Sequence, residues 1–316
     1  MSDVLEMASV SALPVPHRPG ERILIYDWGR PAPGVVVLAN AYAMPPGIWR
    51  FVVNALQQRD LRVVSWNTAG ITTDKYIYSE QTDCSFDLQV QDLLEVVKFC
   101  RAETVNVVGW CTGPLVTLRA MLLEPNAIAK AVLLAGSYNL LAPNSYQKSY
   151  RVLMGGISRS LRHATAHRDL MNSLFGTSLP DGQNVIGIAG GRVPADVAPL
   201  VSRPFESVKN LYMYSRLVVS LADVSPKTWI GKIRQPVLMM AGSRDLIADP
   251  DETELVAKAL PNGRSKIYSD RDHYFHFREP DIAEEVAQFF KTEGETIRSP
   301  EPSVTESTIG QASVRI

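Results

Sequence analysis

Apolar positions along the chain fall into two alternating patterns. Short continuous runs at residues 35–40, 105–108, 131–136 and 235–242 are of the kind buried on both faces of a parallel sheet. Residues 22–27, 61–66 and 265–268 read as further strands. Between these runs the apolar residues recur three or four apart. Residues 83–101 carry them at 86, 88, 90, 93, 94, 96, 97 and 100, which predicts a helix with Asp83 or Ser85 as its cap. The same spacing predicts helices over 48–58, 112–123, 146–161, 208–221, 250–260 and 280–291. Strand and helix alternate up to residue 136, stop for roughly a hundred residues, and resume at 235.

That order predicts an α/β protein: a doubly wound, mostly parallel sheet interrupted by a largely helical lid insertion. The expected organisation is a flexible N-terminal arm (1–20), a core (21–138 and 233–291), a lid (139–232) and a disordered tail rich in Ser, Thr, Glu and Pro (292–316).

One strand end carries chemistry. In Gly109-Trp110-Cys111-Thr112-Gly113 a β-branched run stops at a glycine, and a second glycine opens a helix. This is the spacing of a nucleophile elbow, G-x-S-x-G, with cysteine in place of serine. A sharp strand-to-helix turn puts the nucleophile in a strained backbone conformation, and small flanking residues let strand and helix approach. The turn also sets the thiol at a helix N-terminus, which favours a thiolate and then an oxyanion.

A nucleophile of this kind needs a base and an orienting acid later in the chain. Of five histidines only His273 and His276 follow the last core strand. His273, just past residues 265–268, is the expected base, and His276 is expected as its aromatic-cluster neighbour. Asp245, directly after the 235–242 run, is the expected orienting acid; Asp249 lies close by, and Asp251 suits the first turn of the next helix. The oxyanion donors are expected to be the backbone N–H of Thr112 and that of Ala41 or Tyr42, with the Tyr42 ring available to shape an acyl pocket. Cys100, on the apolar face of its helix, reads as a small core hydrophobe, and Cys84 lies near a helix start that would lower its pKa, with no second histidine placed to serve it.

Bulk properties narrow the setting. A net charge of −1 over 316 residues argues against wrapping nucleic acid. Three cysteines without paired or metal-like spacing predict neither a disulfide framework nor a metal site. Acids near the first residues, and the lack of a long apolar run, predict a cytoplasmic protein that does not span a membrane. The charge is unevenly spread: residues 140–230 hold ten Lys or Arg against five acids, a surplus of +5, which leaves −6 elsewhere. Lys148, Arg151, Arg159 and Arg162 stand in a run without acids, which would suit docking of an acidic carrier protein.

The buried-strand order, the elbow, the insertion, Gly242-Ser243-Arg244-Asp245 and Asp272-His273 together resemble the α/β-hydrolase superfamily over residues 22–291. Its members usually carry serine at the elbow. The cysteine narrows the resemblance to thioesterase-like shuttles that move aminoacyl groups between carrier proteins of nonribosomal peptide pathways. It implies a cysteine-dependent acyltransferase without a bound cofactor. Its substrate would be a phosphopantetheine-linked thioester of an acyl- or aminoacyl-carrier protein, or of CoA. The alternatives are a thioesterase or lactone/ester hydrolase with the same Cys111, His273 and Asp245, and a non-catalytic binding protein. Thiol-to-thiol passage is nearly isoenergetic, which favours cysteine for transfer where water is kept out.

Overall fold

The computed structural model describes residues 7–29, 34–71, 78, 81–161, 193–194 and 196–291. The tail at 292–316 lies outside them, as do residues 1–6 of the arm and 162–192 of the insertion. Strands β1 (Ser9–Pro14), β2 (Arg22–Trp28), β3 (Gly34–Ala39), β4 (Leu61–Trp66), β5 (Val105–Trp110), β6 (Ile128–Leu134), β7 (Val237–Gly242) and β8 (Gly263–Tyr268) form one sheet. Its order is β1-β2-β4-β3-β5-β6-β7-β8. The two pairings that involve β2 are antiparallel, and β3 through β8 run parallel.

The longer helices are α1 (Arg50–Gln57), α2 (Phe86–Phe99), α3 (Gly113–Leu123), α4 (Ser145–Leu161), α5 (Val208–Ala222), α6 (Pro250–Ala259) and α7 (Pro280–Lys291). The sheet separates two apolar cores. In β3, Val35 and Val37 pack with α2 and α3, while Val36 and Leu38 pack with α1 and α7. Alternation of side chains along a strand, with helices on both faces, explains why these runs read as continuously apolar.

Ser9–Pro14 falls within the stretch expected as a flexible arm, yet it forms β1, paired antiparallel with β2 from Ser9 opposite Asp27 to Pro14 opposite Arg22. Its side chains are mostly exposed, so backbone pairing at the sheet edge holds it rather than burial.

Register brings the functional loops together. Ala39 lies opposite Gly109, Trp110 opposite Leu134, Leu134 opposite Met240 and Gly242 opposite Tyr268. The loops after β3, β5, β6, β7 and β8 therefore leave from one carboxyl edge, where ligands bind in open α/β sheets. Within the insertion, α4 packs against α5 over that edge.

Candidate active site

Cys111 sits at the turn between β5 and α3 with φ of 59°, a left-handed conformation uncommon outside glycine. Both flanking glycines are required sterically. A Cβ on Gly113 would come 2.0 Å from the carbonyl oxygen of Ala39, and one on Gly109 would come 2.9 Å from the backbone nitrogen of Pro114. The elbow backbone is pinned on both sides: Cys111 N–H donates to Leu134 O at 3.1 Å, and Ser137 N–H donates to Cys111 O at 3.2 Å. Of the three cysteines only Cys111 is not buried. Burial pushes the Cys100 thiol up to about 12, in line with its expected core placement, and pushes the Cys84 thiol up to about 11, so burial outweighs the lowering expected from its helix-start position.

His273 and Asp245 converge on the thiol. His273 Nδ1 lies 2.7 Å from Asp245 Oδ2, and the imidazole is hydrogen-bonded to Cys111. Asp245 is held by two backbone donors, Ile247 N–H and Ala248 N–H, each 2.8 Å from Oδ1. The acid loop and the histidine loop touch at Gly242, where a Cβ would meet Arg271 O at 2.2 Å. The Trp110 indole N–H donates to the His273 carbonyl at 3.2 Å and so fixes the histidine from beneath. Burial alone would lower the His273 pKa, but the Asp245 carboxylate, the Cys111 sulfur and the hydrogen bonds to both push it up to about 10. An imidazolium next to sulfur is the arrangement that supports a thiolate nucleophile.

The neighbouring acids have other tasks. Asp249 caps α6 by accepting from Asp251 N–H. Asp251 stands in the first turn of that helix, as its sequence position suggests. Buried Glu252 accepts from Tyr138, Leu140 and Leu141 N–H and holds the loop after β6.

The two amides expected as alternative oxyanion donors differ. Ala41 N–H is turned onto Asn40 Oδ1 at 2.9 Å, whereas Tyr42 N–H donates to Thr112 Oγ1 at 2.9 Å. Tyr42 N–H thus faces the elbow. The Thr112 N–H has no acceptor among the described residues. His276 is fully buried and packs at a tilt against Trp110 and Trp49, the aromatic-cluster position expected for it.

Above Cys111 lies a cavity of about 170 Å³, its wall largely aromatic and aliphatic. Tyr146, Tyr150, Tyr214 and Tyr274 line it, and Tyr150 Oη is 3.0 Å from Tyr214 Oη. The tyrosine pair was not anticipated from sequence, where it reads as helical periodicity alone. Of the four basic residues expected to dock a carrier, Lys148 and Arg159 are exposed on α4, and Arg162 lies outside the described residues. Arg151 turns inward and lines the cavity. Helical spacing is the reason: Gln147, Tyr150 and Arg151 share one face of α4, and that face covers the site.

Among the described residues no helix is long and apolar enough to cross a membrane. A family model described as alpha/beta hydrolase fold matches residues 34–280. A pimeloyl-[acyl-carrier protein] methyl ester esterase from Vibrio atlanticus is 24% identical over 245 residues, covering 75% of this chain and 86% of the relative. Among solved structures, a hydrolase from Pseudomonas aeruginosa superposes with a TM-score of 0.67 at 16% identity, covering 90% of this chain and 99% of its own. An esterase from Thermogutta terrifontis superposes at 0.68 and 14% identity, covering 90% and 98%. A thioesterase domain from the curacin biosynthetic pathway superposes at 0.62 and 14% identity, covering 90% and 99%. At these identities the structures speak to fold alone.

Proposed function

Because the chain belongs to the alpha/beta hydrolase fold family, we propose that it is a cysteine-dependent acyl hydrolase. It would release an acyl group from a thioester or ester carried on phosphopantetheine, either of a carrier protein or of CoA. The observation that carries the reading is the hydrogen-bonded line Cys111–His273–Asp245, with Cys111 in the strained elbow conformation. The thiolate attacks the acyl carbonyl, and the developing oxyanion is met by the Thr112 and Tyr42 N–H groups. Protonated His273 gives its proton to the departing thiolate or alkoxide, which leaves a Cys111 thioester. Water then adds to that thioester as His273 takes its proton, and the tetrahedral adduct collapses to free acid and the Cys111 thiolate. A carrier-linked substrate is supported by the Vibrio relative, whose name places it on an acyl-carrier-protein ester. The exposed bases Lys148 and Arg159 on α4 suit an acidic partner. A thiol nucleophile suits a reducing compartment such as the cytoplasm.

A second reading is favoured by the sulfur itself. A Cys111 thioester passes to another thiol at nearly equal energy, so the same intermediate serves an acyltransferase wherever a second thiol reaches it before water does. Incubation with an acyl-loaded carrier protein, followed by intact-mass measurement beside Cys111→Ala, tests both. An adduct on the wild type that decays to free acid supports hydrolysis. An adduct that moves to a second carrier thiol supports transfer. No adduct, and no selective alkylation of Cys111, overturns both.

A further inference from the structure

We propose that the cavity over Cys111 carries a binding site for an anionic oxygen group of the substrate, built by Arg151 and held by Asn139. This inference rests on the acyl-transferring or hydrolysing role of Cys111 and names the chemistry of what that cysteine acts on.

Apart from His273, Arg151 is the cation among the described residues of a largely apolar and aromatic wall. Among the described residues its guanidinium hydrogen-bonds to Asn139 Oδ1, and no ion pair with a carboxylate is formed. Asn139 is fully committed to this task. Its amide nitrogen donates to Leu221 O at 2.9 Å and Val224 O at 2.7 Å, so its oxygen is fixed toward Arg151. Its backbone stands at φ of 55°, a conformation asparagine tolerates better than most residues. Arg151 is half-buried, so its guanidinium is held in place by Asn139 while it still reaches the cavity.

Guanidinium offers five donors in a planar fork that matches a carboxylate or phosphate in two parallel bonds. One donor is used by Asn139, which orients the plane and leaves the rest for a ligand. The Tyr150–Tyr214 pair shares one hydrogen bond, so one hydroxyl proton is left for a further acceptor. The cavity measures about 170 Å³ among the described residues. A void of ~150 Å³ holds a benzene-sized guest, so a short acyl chain fits the space over Cys111. The anionic group therefore comes from one of two sources: a distal carboxylate on a short acyl chain, or the phosphate of the pantetheine arm.

The test compares Cys111 acylation by glutaryl- and valeryl-N-acetylcysteamine and by valeryl-CoA, in wild type, Arg151→Met and Asn139→Ala. Loss of a charge-assisted pair corresponds to about 10- to 100-fold. For a carboxylate site, the wild type prefers glutaryl over valeryl by that factor, and both variants lose the preference. For a phosphate site, the preference is for valeryl-CoA over valeryl-N-acetylcysteamine, and it is lost in the same way. Rates for all three probes that are unchanged in Arg151→Met overturn the site. If no thioester acylates wild-type Cys111, the hydrolase reading fails by itself, and the anion site is read from protection of Cys111 against iodoacetamide. Protection by millimolar glutarate or inorganic phosphate in wild type but not in Arg151→Met supports it; equal alkylation with and without these anions overturns it.

Discussion

The Tyr42 amide donates to the Thr112 hydroxyl at 2.9 Å, so the loop after β3 is tied to the residue that follows Cys111. In the resting site a hydroxyl occupies the donor that the proposed mechanism assigns to the substrate's carbonyl oxygen. The exchange is easy, because a hydroxyl rotates and can itself donate. Thr112→Val leaves the buried Tyr42 N–H without an acceptor, and the expected loss is about 1–3 kcal/mol of stability. Both backbone donors remain, so Cys111 acylation falls by less than the roughly 100-fold expected when an oxyanion donor is removed. Thr112→Ser restores stability. Urea unfolding together with acylation rates checks this; a Thr112→Val protein as stable as wild type would show that the bond contributes nothing.

The His273 imidazole is pushed up to about 10 from an ordinary value of 6.5. A folded-state pKa above the unfolded one gives stability that is fully present below about 6.5 and is lost as pH rises through about 10. Nitrogen-15 NMR of labelled histidine is expected to show the ring still protonated at neutral pH. Asp245→Asn and Cys111→Ala each lower its titration midpoint, because each removes a group that raises it. Wild-type stability falls more steeply than that of Asp245→Asn between these pH values. A ring that titrates at or below 6.5 contradicts the resting ion pair.

The part of the site that rests on backbone geometry is the part the sequence displays. Gly109 and Gly113 are dictated by contacts of 2.9 and 2.0 Å to main-chain atoms, so the elbow is visible at fixed spacing in one dimension. Asp245 and His273 are legible because each follows a recognisable strand, the buried β7 and the edge strand β8, and parallel strands deliver their loops to one edge. The choice between Ala41 and Tyr42 turns on where the Asn40 side chain points, which no local pattern encodes. The inward turn of Arg151 depends on how α4 lies against α5; charge counting places it with Lys148 and Arg159, and only packing separates them. Strand β1 escapes for the opposite reason: an exposed edge strand needs no apolar alternation to form.

His276 is fully buried with neither ring nitrogen partnered among the described residues, 4.8 Å from the Trp110 ring and 5.2 Å from the Trp49 ring. Burial and the charge of His273 push its pKa down to about 3. The unfolded chain binds a proton there that the folded chain refuses, so stability drops as pH falls from 6.5 toward 3. The slope is up to about 1.4 kcal/mol per pH unit. His276→Phe removes the titration, and its acid unfolding curve is expected to be flatter, with neutral-pH stability equal or higher. A loss of more than about 2 kcal/mol at neutral pH would mean that the nitrogens do hold a partner.

Two glycine-to-alanine substitutions separate conformational cost from steric cost. At Gly156, within α4, a Cβ meets nothing within 4 Å, so Gly156→Ala is expected to add about 0.5–1 kcal/mol of stability through helix propensity alone. At Gly113 the Cβ would strike the Ala39 carbonyl at 2.0 Å, and neither β3 nor α3 can yield without moving the other. Gly113→Ala therefore forces strand and helix apart, at a cost of about 1–3 kcal/mol or more. The same displacement pulls Tyr42 away from Thr112 and opens the oxyanion position. Acylation of Cys111 is then lost more completely than in Thr112→Val, even where the variant remains folded. Thermal unfolding of both variants beside the acylation assay checks the pair. A fully active, fully stable Gly113→Ala would show that the elbow does not need the close approach of strand and helix that fixes its nucleophile.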